Sequence, residues 1–179
     1  MQFHILRGST EDIEIAKIYG LGEECKEKFK ENIEDPNSVF QAICDLFNYL
    51  PLAALIENKI FCVHSGIGEN LKSLEDIMSI KKPYSINESQ IILDILWSVP
   101  EEFKSEYSGN NITTNLRKRY FNENLIGEFM KNNKIEYMIR SHDVLDHGFE
   151  KLYDGKVVSI YSALNYCGIY DNSAGIISI

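Results

Sequence analysis

Ile60-Phe61-Cys62-Val63-His64-Ser65-Gly66 is the stretch that decides how this chain is read. Four apolar residues in a row, β-branched at both ends, predict a short buried strand. His64, Ser65 and Gly66 follow at once, so the chain would leave the sheet with an imidazole held firmly at the strand's end. Three other stretches repeat the design. Phe3–Leu6 runs into Arg7-Gly8-Ser9-Thr10-Glu11, Tyr137–Ile139 into Arg140-Ser141-His142-Asp143, and Val157–Tyr161 into Ser162-Ala163-Leu164-Asn165-Tyr166-Cys167-Gly168. In α/β proteins, strands whose ends open into polar loops are where ligands bind. The repetition therefore predicts four strands and one shared site, with His64 and His142 converging at it. Either histidine alone reads as a satisfied loop residue; two in matching positions point to a metal, which neutral imidazole ligates well.

Helical periodicity fills the intervals. Glu11 to Glu31 is polar with scattered apolar residues and reads as a helical region. After the turn signal Asp35-Pro36-Asn37-Ser38, the residues Phe40, Ile43, Cys44, Phe47 and Leu50 recur at the spacing of one helix face. Helices are also predicted from Glu88 to Leu96, capped by Ser85 or Asn87, and from Asn122 to Asn132, where Leu125, Ile126, Phe129 and Met130 share a side. The expected class is α/β, with residues 1–179 forming a single domain.

Composition limits the function. The 179 residues are 44% hydrophobic and 25% charged, the balance of a globular protein. The longest apolar stretch, Leu50 to Ile56, is too short to span a bilayer, and the N-terminus has no basic leader, so the chain reads as neither membrane-spanning nor secreted. A net charge of −9 repels nucleic acid and anionic membrane, which excludes both as partners. Cys25, Cys44, Cys62 and Cys167 are widely spaced without a CxxC pair and read as reduced thiols of a cytoplasmic or nuclear protein. His4 and His147 read as structural or surface residues.

Taken together, these segments resemble the phosphoprotein phosphatase family of serine/threonine phosphatases, nearest its type 1 branch. Leu6-Arg7-Gly8-Ser9-Thr10-Glu11 is similar to that family's Leu-Arg-Gly-Asn-His-Glu. Phe47-Asn48-Tyr49-Leu50-Pro51-Leu52, Val63-His64-Ser65-Gly66, Leu96-Trp97-Ser98, Arg140-Ser141-His142 and Ala163-Leu164-Asn165-Tyr166-Cys167-Gly168 continue the match in the family's order. The resemblance implies a partial metallophosphatase β-sandwich flanked by helices, and a hydrolase in which two divalent metals activate a hydroxide against a phosphoserine or phosphothreonine ester. It implies His64 and His142 as ligands of the second metal, manganese, iron or zinc, and Arg7 and Tyr166 beside the substrate. Phosphoprotein substrates or phosphatase regulatory proteins are the partners it implies.

The departures are equally specific. Ser9 and Thr10 stand where the family has an asparagine metal ligand and a histidine general acid, while Glu11, which orients that histidine, is retained. No Gly-Asp dipeptide occurs, so the family's two upstream metal motifs are absent from these 179 residues. The family's second arginine falls near Asn115, with Arg117 or Arg119 as stand-ins. The expectation is a partial, inactive phosphatase-like protein with at most a weak second metal site; an active divergent phosphatase and a non-catalytic module binding phosphatase regulators are the alternatives.

Overall fold

The computed structural model describes residues 3–106, 115–116 and 119–179. Arg117 lies outside the described residues. Strands β1 (Ala53–Ile56), β2 (Ile60–Val63), β5 (Tyr137–Arg140), β6 (Phe149–Leu152) and β7 (Val157–Ile160) form one sheet in the order β1-β2-β5-β7-β6. Its centre, β2-β5-β7, is parallel, and the two edge strands pair antiparallel. A separate parallel pair joins β3 (Val99–Pro100) to β4 (Tyr120–Phe121). The helices are α1 (Ile13–Ile18), α2 (Leu21–Phe29), α3 (Val39–Phe47), α4 (Leu74–Met78), α5 (Gln90–Trp97) and α6 (Glu123–Asn133). This is a mixed α/β architecture with a helix-flanked sheet, the class read from the sequence.

Side-chain alternation explains which face of the sheet is backed. Phe61 and Val63 of β2, Met138 of β5 and Val157 of β7 point to one side, where they are buried with Ile92, Ile95 and Leu96 of α5 and Ile126 and Phe129 of α6. The Phe61 and Phe129 rings lie 5.3 Å apart. A smaller cluster, Ala16, Cys25, Phe40 and Cys44, joins α1, α2 and α3. Burial there raises the Cys44 thiol to about 11, so it packs as an inert hydrophobe.

Several expected boundaries move. The helical region Glu11–Glu31 is two helices, because Gly20 adopts φ 94° between them. The helix expected from Glu88 begins at Gln90, and its cap is Ser89 rather than Ser85 or Asn87; Ser85 instead caps the short turn Ile86–Glu88. Asn122 caps α6 by accepting from the Leu125 amide. The strand expected at Phe3–Leu6 does not form. Phe3 and Ile5 are 79% and 70% exposed, and the Arg7 amide donates to the Pro51 carbonyl at 2.8 Å in place of a ladder. An apolar run becomes a strand by pairing, and among the described residues none pairs with it.

The short helix α4 depends on a reciprocal cap. Ser73 Oγ accepts from the Asp76 amide, and the Asp76 carboxylate accepts from the amides of Ser73 at 2.7 Å and Lys72 at 3.0 Å. Those amides, Ser73's foremost, hold the Asp76 carboxyl below its ordinary range. A depressed carboxyl stabilises the fold above its unfolded pKa and loses that contribution as pH falls through the folded value. Asp76→Asn is therefore expected to cost about 0.5–1 kcal/mol at pH 7. Urea titrations should find the gap shrinking as pH falls below about 4, the ordinary aspartate value, towards the lower value at which folded Asp76 takes up its proton.

Candidate functional site

The two histidines arrive from adjacent parallel strands. His64 follows the last residue of β2, and His142 sits two residues beyond β5 at φ 82°. The Ser141 amide donates to the His64 carbonyl at 2.8 Å, fastening one loop to the other. His142 Nδ1 comes within 3.1 Å of His64 Nε2, with the rings perpendicular and their centroids 5.1 Å apart. Trp97 at the end of α5 is edge-on to His142 at 5.7 Å. Ser9 completes the group, its Oγ 3.2 Å from the same His64 nitrogen. The chain reaches this close because residue 8 is glycine: a Cβ there would stand 3.3 Å from the His64 ring and 2.3 Å from the Glu11 carboxylate.

These three groups line a cavity of about 220 Å³ with Thr10, Tyr19, Trp97, Ser141, Tyr161 and Tyr166. Tyr166 meets Tyr161 edge-on at 5.3 Å and Tyr170 at 6.0 Å, so one wall is aromatic. Burial, with Tyr166 alongside, pushes the Tyr161 phenol well above its ordinary value, which leaves it neutral at any physiological pH.

Other expected site residues point elsewhere. Arg7, expected beside a substrate phosphate, is fully buried and occupied: Nε donates to the Glu11 carbonyl at 2.8 Å, one terminal nitrogen to the Tyr84 carbonyl at 3.0 Å and the other to Asn48 Oδ1 at 3.4 Å. Desolvation lowers its pKa. Glu11 accepts from Thr10 Oγ1 at 3.0 Å, and so holds a hydroxyl where the resemblance implied a histidine. Asp143, next to His142, pairs with buried Arg140 and is not among the residues that line the cavity. Arg119 pairs with buried Asp94 at 2.7 Å and lines a different cavity with Gly68 and Asn70, so it is neither a free surface charge nor a neighbour of the histidines. Tyr19 and Ser141 were not foreseen as cavity walls. Tyr19 did carry a signal, since an aromatic residue directly before a helix-breaking glycine is held at a chain reversal.

His64 and His142, with ring nitrogens 3.1 Å apart, are the residues that would hold one divalent ion, for which imidazole is a good ligand. The rest of the donor set does not fit a two-metal centre. Among the described residues no three His, Cys, Asp or Glu side chains converge, and the third group here is a neutral hydroxyl. Among the described residues the cavity lining offers two imidazole nitrogens and no carboxylate.

A parallel-centred sheet backed by helices, with paired imidazoles at its strand ends, is consistent with a metallophosphatase fold. The family model for calcineurin-like phosphoesterases matches residues 1–146, and the chain belongs to that family. Among solved structures it is similar to a protein serine/threonine phosphatase from Saccharomyces cerevisiae that is itself described as similar to human phosphatase PP5. The identity is 28% and the TM-score 0.78 over 95% of this chain. The chain spans about half the length of that relative, 50%. The family uses divalent metal. Among the described residues no helix is long and apolar enough to cross a membrane.

Proposed function

We propose that this chain is a serine/threonine phosphatase-like protein, acting as one domain in the cytoplasm or nucleus, that does not by itself hydrolyse phosphoproteins. One observation carries the reading: the described lining of the histidine cavity contains no carboxylate, guanidinium or ammonium group. Two-metal hydrolysis needs carboxylates to hold and bridge the ions, and a phosphate dianion needs positive charge to bind. The leaving alkoxide needs a proton near neutral pH, which neither Ser9 nor Thr10 can supply. A positioned proton donor is worth about 10²–10⁴-fold in rate, so its loss alone is severe. His64 and His142 would hold a single borderline ion, zinc in preference to manganese, which when bound supplies local positive charge.

The isolated chain with manganese is expected to release no phosphate from a phosphoserine peptide above the protein-free rate. Calorimetry is expected to find one weak zinc site that His142→Ala removes. Turnover that disappears in His64→Ala or His142→Ala would make the protein an active divergent phosphatase instead, as would tight binding of two manganese ions.

A further inference from the structure

His142 is held in a backbone conformation that a side chain disfavours. At φ 82° it stands in the left-handed half of backbone space, which a residue with a Cβ enters at a cost and keeps only where its surroundings over-determine it. The residues on either side supply that constraint. Before it, the Ser141 amide donates to the His64 carbonyl at 2.8 Å. After it, the Asp143 carboxylate accepts from the Arg140 guanidinium, whose Nε donates to the Ser65 carbonyl. Arg140 is the last residue of β5, so its bond to Asp143 closes a loop with only Ser141 and His142 between the two ends. That loop is stitched at two successive carbonyls to the segment that carries His64. Arg140, Asp143 and His142 are 1%, 4% and 8% exposed, so water competes little for these bonds.

We propose that Asp143 is a positioning residue: its bond to Arg140 holds the His142 backbone in the left-handed conformation and so presents that imidazole to His64 at the spacing one divalent ion needs. The inference rests on the reading of His64 and His142 as the ligands of that ion. Asp143 is no part of the cavity lining and acts through the backbone. Without its bond, residues 141–143 relax toward negative φ, and a rotation of that size swings the His142 ring away from His64. Groups that orient metal ligands are worth about 10–100-fold in metal affinity. The role requires an acceptor oxygen at this position rather than its charge, so Asp143→Asn keeps the bond to Arg140 and keeps the site.

Calorimetric zinc titration of the full chain should find affinity at least about tenfold weaker in Asp143→Ala and within about threefold of wild type in Asp143→Asn. The double change Arg140→Met plus Asp143→Leu removes both charged groups together; it should fold and still bind zinc as weakly as Asp143→Ala. A role in stability alone would return the affinity along with the stability. Ser159→Ala, which removes an Arg140 bond outside the loop, should lower the urea midpoint and leave zinc affinity unchanged. A readout without metal comes from Trp97, the chain's one tryptophan, which lies edge-on to His142 at 5.7 Å. With 5-fluorotryptophan incorporated, the metal-free protein should give one fluorine line that Asp143→Asn and Ser159→Ala keep and that Asp143→Ala and the double change displace. A wild type that binds no zinc would end the reading of the histidines as ligands, and the fluorine line would then decide the positioning of His142 by itself. Should Asp143→Ala not fold, the double change carries the same comparison. Wild-type zinc affinity in the double change, an equal loss in Asp143→Asn and Asp143→Ala, or a fluorine line indifferent to residue 143 would each overturn the proposal.

Discussion

Arg140→Ala is expected to destabilise the protein by about 3–5 kcal/mol, measured as a lowered urea midpoint with an unchanged slope. The guanidinium is 1% exposed at the end of β5. It donates to the Ser65 carbonyl beside His64, to Ser159 Oγ on β7 at 3.0 Å, and to the Asp143 carboxylate next to His142. One side chain thus ties three loop and strand ends of the histidine cavity together. Alanine removes those bonds, among them the ion pair with Asp143, itself 4% exposed. Loss of the arginine that faces a buried carboxylate, more than the loss of the neutral hydrogen bonds, sets the size of the effect. The double change Arg140→Met plus Asp143→Leu removes both charges together and should recover much of the loss. A double no more stable than the single would show that the bonds to Ser65 and Ser159 dominate.

Arg7→Ala is the second large effect, expected at about 2–4 kcal/mol. Its guanidinium satisfies the carbonyls of Glu11 and Tyr84, and each buried acceptor left bare costs about 1–3 kcal/mol. The ring of Tyr84 lies 5.4 Å beneath the charge, so stacking is lost as well. Arg7 lies next to Gly8 and Ser9, so its anchorage sets where Ser9 meets His64. Hydrogen exchange at residues 8–12 should therefore speed up in Arg7→Ala more than exchange in β5 or β7. If stability is unchanged and only the affinity for a phosphopeptide falls, Arg7 belongs to a binding surface after all.

The difference between these arginines and the histidines shows what a sequence carries. His64 and His142 were legible because each follows a short apolar run, and a strand's end leaves the next side chain little choice of direction. The apolar faces of α3 and α6 were legible for a related reason: 3.6-residue periodicity is a local property. Ala53–Ile56 carried no alternation and sat within a longer apolar stretch, so its place as an edge strand was not visible. Phe3–Leu6 carried every local mark of a strand and formed none, because pairing is made by a distant segment. Arg7 and Asp143 each stood beside a motif residue and had two directions open to them, cavity or interior.

Family, class and the identity of the paired imidazoles were thus determined by the sequence itself, since ordered motifs and strand-then-polar runs are written in consecutive residues. The departures at Ser9 and Thr10 were equally plain there. Tertiary structure alone decided where the charged residues beside the motifs go. Arg7 sits against Tyr84, Arg140 against Asp143 and Arg119 against Asp94 because a buried charge takes whatever partner the packed chain brings near. Tertiary structure also decided which sheet face α5 and α6 pack against. Alternation along a strand says that two faces exist, but only the positions of α5 and α6 say which of them is filled.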